Sequence, residues 1–196
     1  MSKKVQSAQL SDGTTLARLA EVANRIKATK YHQPRARFND KHIVYLQGVL
    51  DELRRFADPI DAVMDVVTGY IYIFHGFHRW TAAKSSGHFH DAAIRLHMPR
   101  AGLTADRDAF LRSLDSPSAG YGATPETKLD KENRVWLALS DPELTRLSNA
   151  ELKLYLGLAA ATIQYFRLKF QRKGMLLPTP EPVADPADEK GQLKLK

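Results

Sequence analysis

The stretch Ile71 to Gly87, IYIFHGFHRWTAAKSSG, restricts the arrangement of the rest of the chain more than any other. Tyr70, Tyr72 and Phe74 alternate with Ile71 and Ile73, the period of a strand packed on both faces. Gly76 then permits a turn with backbone angles that other residues avoid. A short helix is predicted next. Ala82 and Ala83 are small enough to lie close to a sheet, and Gly87 is placed to end the helix as a left-handed cap. Strand, glycine turn and helix start together leave backbone N–H groups unpaired at the positive end of a helix, which suits a phosphate. His78 and Arg79 stand at that mouth. Arg79 can grip phosphate bidentately at any pH, provided no carboxylate claims it first. His78 is placed as a phosphate donor or a general acid/base.

At 196 residues, with 43% apolar composition, the chain can bury a substantial core in one or two domains. It lacks an apolar run near the roughly 18 residues of a membrane span, and MSKKVQSAQLSDG lacks the apolar region of a secretory signal. A cytoplasmic protein without a membrane partner is expected. The chain has no Cys, so no disulfide framework forms. The net charge of +7 is unevenly spread: residues 1–60 hold 11 Lys/Arg against 6 Asp/Glu, residues 61–125 hold 6 of each, and residues 126–175 hold 9 against 6. A neutral middle between basic ends suits a polyanion contacted from both sides.

Residues 1–28 read as a polar arm followed by a helix, since Leu16, Leu19, Ala20, Ala23 and Ile26 recur at helical spacing. Residues 29–114 form the domain around the central stretch. A helix capped by Asn39 or Asp40 carries Ile43, Leu46, Val49, Leu50, Leu53 and Phe56, and Asp58-Pro59 stops it. IDAVMDVV is a strand joined to the central one through Thr68-Gly69. AAIRLHM is a further strand, and Thr104 to Leu114 a helix. Residues 115–127, rich in Ser, Gly and Pro, read as a linker. Residues 128–174 hold helical patterns, the second opened by a Ser148/Glu151 capping box and closed at Gly157. Residues 175–196 read as a disordered tail.

Leu152, Leu156, Gly157, Leu158, Ile163 and Phe166 have the spacing of a helix-turn-helix. Gln164, Arg167, Lys169, Arg172 and Lys173 would then face or flank DNA. Lys153 stands where the helix pair favours a small residue, and it must reach outward or open the pair. The competing reading is a plain helical hairpin, used for packing or for a homodimer contact. Asp61 and Asp65 share one face of a strand and are the candidates for Mg²⁺ beside a phosphate. Their alternative role is to keep an edge strand soluble. The histidines near the central stretch fit no closed zinc spacing.

The spacing of Gly76, His78, Arg79, Ala82, Ala83 and Gly87 resembles the DGFHRxxAAxxxG box of the ParB/sulfiredoxin superfamily. The likeness continues upstream in QPRARFNDKHIVYLQGVLDEL and downstream in TKLDKENRVWLALSDPELTRLSNAELKLYLG, so it spans roughly residues 29 to 173. It implies an α+β fold: a small mixed sheet with helices, then an all-helical, helix-turn-helix-like segment. It puts Arg35 and Arg37 at the rim of a nucleotide or DNA groove, with Gly76, Phe77, His78 and Arg79 holding phosphate. Sulfiredoxins carry a Cys where this chain has Phe77, which excludes their thiol chemistry. The family Asp before the glycine is His75 here, and the Arg-Arg box of the CTP-binding partition proteins is not legible.

What the resemblance implies for function is a bacterial DNA-binding protein that hydrolyses ATP with Mg²⁺ and cleaves DNA, as in the plasmid fertility-inhibition (oncogenic suppression) proteins. His78 and Arg79 would be its catalytic residues. The second expectation is a non-catalytic transcriptional or partition-type regulator reading DNA through the helix-turn-helix.

Overall fold

A computed structural model describes residues 8–9, 13–29, 32–35, 38–115 and 125–176. In chain order its elements are β1 (Ala8–Gln9), β2 (Thr15–Arg18), α1 (Leu19–Val22), β3 (Ile26–Lys27), α2 (Asp40–Leu53), β4 (Ile60–Met64), β5 (Ile71–His75), α3 (Phe77–Ser85), β6 (Ala93–His97), α4 (Ala105–Asp115), α5 (Lys128–Leu139), α6 (Asn149–Leu156) and α7 (Ala160–Arg172). Short 3₁₀ turns at Ala23–Arg25, Phe89–Asp91 and Leu144–Arg146 join some of them. The strands form one mixed sheet in the order β1-β2-β6-β4-β5-β3. The architecture is α+β, as the sequence implies.

Of the helix expected near Leu16 to Ile26, only Leu19–Val22 and the 3₁₀ turn Ala23–Arg25 form. Thr15–Arg18 instead pairs antiparallel with β6, Leu16 opposite Arg95 and Ala17 opposite Ile94. Sheet pairing gives the backbone of that run ladder partners on β6 and accompanies burial of Ala17 and Leu19, which outweighs a weak helical periodicity. The helix that follows is one turn long, and Ile26–Lys27 then joins the far edge of the sheet, parallel to β5. Within the predicted arm, Ala8–Gln9 pairs with β2; residues 1–7 and 10–12 lie outside the described residues.

β4 is an inner strand, between β6 and β5. The Thr68-Gly69 turn folds it against β5, with Gly69 at φ 73°. Ile60, Ala62, Ile71, Ile73, Ile94 and Leu96 form a core with α2 and α3, into which Ala82 and Ala83 fit without exposure. On the opposite face Val63, Tyr72 and Phe74 pack under Ala105 and Ala109 of α4. α4 also sends Phe110, Leu111 and Leu114 into a second core with α5, α6 and α7, so it is shared between sheet and helices.

Two predicted helix ends move. α2 stops at Leu53, where Arg54 takes a left-handed conformation (φ 59°) and returns its N–H to Leu50. Phe56 therefore lies beyond the helix but is still buried. α3 stops at Ser85, and Ser86 is already extended, so Gly87 is not a left-handed cap. The predicted linker is described only at Asp115 and from Pro125 on, and the predicted tail only as far as Leu176.

Candidate functional site

α3 begins at a backbone corner that only glycine fits. Gly76 has φ 89°, and a Cβ there would lie 3.2 Å from the Cα of Ile60. No side chain caps this helix. The N–H groups of its first turn lack intrahelical partners by helix geometry, and they stay open to a ligand. In front lies a cleft of about 80 Å³ lined by Gly76 to Arg79, Arg35 and His42. Past Arg35 and His78 it widens into a hollow of about 570 Å³, bordered by Phe38, Lys41 and Leu129. That is within the roughly 300–1,000 Å³ usual for small-molecule sites.

Arg79 is not a loose side chain. Its Nη1 donates to the carbonyl of Asp58 at 2.7 Å and to that of Pro59. The nearby carboxylates, Asp58 and Asp61, act on it only through space, and burial lowers its pKa. A carbonyl fixes a guanidinium without neutralising it. Arg79 is thus both a structural tie and a positioned positive charge, where the sequence suggested a choice between a paired Arg and a free one.

His78 accepts a hydrogen bond from the backbone N–H of Asn39 at 3.1 Å on Nε2. Burial first, then His42 and Arg35, push its pKa down to about 4. It is therefore neutral near pH 7, with its lone pair already engaged. The bond occupies the nitrogen that the expected general acid/base would use, so Asn39 must let go before Nε2 can take a proton. His42, one helical turn into α2, is also lowered by burial and by Arg35 and Arg79. Phe77 is 7% exposed and its ring belongs to the core, so only its backbone can meet a ligand.

Arg35 lies 3.5 Å from Asp130, the residue that accepts the Thr127 N–H at the start of α5. Arg35 also donates to the carbonyl of Pro125, and Asn133 to that of Pro34. The segment carrying Arg35 thereby straps the helical half to the mouth of the cleft. Arg37 lies outside the described residues. Thr127 and Asp130 have legible capping spacing, but the pairing of Asp130 with Arg35 is a long-range contact with no local signal.

The two candidate metal carboxylates do not converge. Asp65 lies beyond β4 and accepts the N–H groups of Val67 (2.9 Å) and Thr68 (3.2 Å), closing the turn. Asp61 faces His75 (3.4 Å), His97 (3.1 Å) and Arg95 (3.3 Å). Burial pushes its carboxyl up, but those partners outweigh burial and hold it well below the usual carboxylate range. As β4 is an inner strand, solubility of an edge is not their role either.

In the helical half, α6, the left-handed Gly157 (φ 58°) and α7 form a helix-turn-helix-like pair around Leu152, Leu156, Ile163 and Phe166. Ser148 and Glu151 make the predicted capping box. Lys153 points to solvent and the pair stays closed. Two of the expected DNA-facing residues are inward. Arg167 is 7% exposed and donates to the carbonyl of Leu147 at 2.8 Å, while Lys169 pairs with Glu132 of α5 at 2.5 Å. Gln164, Arg172 and Lys173 are exposed, and Gln164 accepts a hydrogen bond from Asn149. The outward stripe of α7 includes Tyr165 and Leu168, which the charge pattern did not single out.

No family model and no curated protein matches the chain. Among solved structures, the chain is similar to the C-terminally truncated chromosome-partitioning protein ParB from Caulobacter crescentus complexed to the centromeric parS site. The identity is 14%, over 79% of this chain and 77% of that one, with a TM-score of 0.45. The same protein complexed with CTP-gamma-S matches at 14% identity, over 83% and 86%, with a TM-score of 0.38. Likenesses this distant do not say what this chain binds.

Proposed function

We propose that this chain is a DNA-binding protein of ParB-like type whose cleft at Gly76–Arg79 holds the phosphates of a nucleotide. The observation that carries the reading is Arg79: a guanidinium fixed by two carbonyls, charged and unneutralised, beside an uncapped helix start. A preorganised cation of that kind suits phosphate, because the side chain needs no reordering when the anion arrives. The wider hollow beyond His78 offers room for the nucleoside, and the outward face of α7 supplies Gln164, Tyr165 and Arg172 for DNA.

Between the two finer readings, the cleft favours the regulator over the DNase and ATPase. Asn39 engages the lone pair of His78, Asp65 is spent on its turn, and Asp61 is surrounded by basic groups. Hydrolysis would therefore need its base and its Mg²⁺ ligands from rearranged groups or from the substrate phosphates. The experiment is incubation of the pure protein with plasmid DNA and ATP, in Mg²⁺ or in EDTA. Stable shifted complexes without nicking or phosphate release are expected. Mg²⁺-dependent nicking with phosphate release would restore the enzymatic, fertility-inhibition type of reading.

A further inference from the structure

The sheet face under α4 is only partly covered. Ala105 and Ala109 close over Val63, Tyr72 and Phe74, whereas Asp61, Arg95 and His97 stay partly exposed beside them. Side-chain contacts connect these residues into one strip. Arg95 and His97 both reach Asp61, and the His97 ring meets Phe74 edge-on at 5.3 Å. The guanidinium of Arg112 lies 5.7 Å from the centre of the Phe74 ring and bonds Asp108 at 2.9 Å, which also takes Arg100. Arg18 extends the strip across β2: Leu16 is opposite Arg95, and Arg18, two residues on, shares that face and is exposed.

Residues 61–125 are neutral in sum, but the fold sorts their charges. Asp65 closes a turn, Asp91 sits by Arg54 and His88, and Asp106 pairs with His32, although Asp65 and Asp106 still act through space on Tyr72 of this face. Along the strip itself stand Arg95, Arg100 and Arg112, with Arg18 from outside that range, against Asp61 and Asp108, a surplus of positive charge. Asp108 is wholly buried, so it offers nothing to solvent, while Arg100 keeps half of its side chain exposed. The strip also adjoins the cleft, since Phe74 and His75 line both and Arg79 feels the charges of Asp61 and Arg95.

We propose that this strip is a contact for a nucleic-acid phosphate backbone, separate from the helix-turn-helix. A guanidinium has five N–H donors, so one bonded to a carboxylate can still donate to a phosphate. Several of them held on a rigid sheet and the helix packed over it match a run of phosphates by charge, and the contact carries no sequence information. The inference shares its DNA partner with the proposed function but gives DNA a second anchoring surface that sequence reading by α7 does not require.

The test uses the full chain and a 30-base-pair duplex of arbitrary sequence, about ten base pairs per helical turn, with affinity followed by fluorescence anisotropy across a salt series. The strip variant is Arg18→Gln with Arg95→Gln; a charge-matched control, Arg55→Gln with Lys84→Gln, removes as much charge from the turn after α2 and from α3. Melting curves verify that each is folded. The strip variant should flatten the log affinity against log salt slope by about 1.8, for two phosphates at about 0.9 each, and Arg95→Lys should retain its share. The control should keep the wild-type slope. An unchanged slope in the folded strip variant, or equal flattening in the control, overturns the inference and leaves the proposed function standing. Loss of binding to polyglutamate with the DNA slope unchanged would assign the strip to an acidic protein surface, and also overturn it. Failure of the wild type to bind the duplex at all would remove both readings.

Discussion

The backbone N–H of Asn39 donates to Nε2 of His78 at 3.1 Å, tying the N-cap of α2 to the first turn of α3 across the mouth of the cleft. The bond requires neutral imidazole on that nitrogen. Burial, with His42 and Arg35 beside it, has already pushed the group down to about 4. The unfolded chain takes up a proton near 6.5, and the folded one does not until about 4. The contribution of His78 to stability should therefore be at its full value above pH 6.5, fall as the pH drops from 6.5 to about 4, and level off below, where the depressed carboxylates such as Asp61 take over the decline. His32 and His42 are lowered too and act in the same direction. Urea melts at pH 7, 5.5 and 4.5 should show the decline, and His78→Gln should make it shallower. An equally steep decline in that variant would show that His78 is not a source of it.

Arg79 should affect folding and binding together. Arg79→Ala removes charged donors from the carbonyls of Asp58 and Pro59, which should cost about 1.5–3 kcal/mol of stability. It should also abolish saturable nucleotide binding by the molecules that remain folded. Arg79→Lys keeps the charge but not the planar fork, and should recover part of each effect. Chemical denaturation and calorimetric titration of the same samples separate the two. Full nucleotide affinity per folded Arg79→Ala molecule would reduce Arg79 to a purely structural tie.

Asp130 restrains the cleft. Its carboxylate lies 3.5 Å from Arg35, so an incoming phosphate must compete with it for that guanidinium. Asp130→Asn should raise nucleotide affinity about three- to tenfold, as roughly 1.4 kcal/mol is tenfold. It should lower stability by about 0.3–1 kcal/mol, because a negative charge leaves the first turn of α5. A weaker affinity in the variant would show that Asp130 helps to hold the ligand, for example through a metal ion.

Much of this fold was legible because its signals are local. β5, the Gly76 corner, the small residues of α3, and the caps at Asn39 and Ser148 all follow from spacing within a few residues. The errors arise where distant chain decides. Leu16 to Ile26 fits a helix, but the free backbone of β6 makes a strand of its first part. Arg167 and Lys169 satisfy the charge pattern of a recognition helix, yet the loop carbonyl of Leu147 and the carboxylate of Glu132 engage them. The cleft was half legible: Gly76, His78 and Arg79 share a motif, whereas Arg35 and Asp130 meet only in three dimensions.

The inward and outward residues of α7 should separate cleanly. Arg167→Ala breaks a buried bond to Leu147 and should cost about 1–3 kcal/mol of stability. Gln164→Ala with Arg172→Ala, on the exposed side, should stay within about 0.5 kcal/mol of wild type in stability. The same pair should weaken DNA binding at least several-fold in a mobility-shift titration. Unchanged DNA affinity in the pair would favour the plain helical hairpin, and so a protein contact for α6 and α7.

The most direct test of the phosphate cleft is an amide-resolved NMR titration of the full chain with a nucleoside triphosphate, ATP and then CTP. The account predicts saturable shifts concentrated at the backbone N–H groups of Gly76, Phe77, His78 and Arg79, with smaller ones at Arg35 and Asn39 as the Arg35–Asp130 contact yields. Shifts that bypass this turn, or an unmoved spectrum at millimolar ligand with the protein folded, would contradict it.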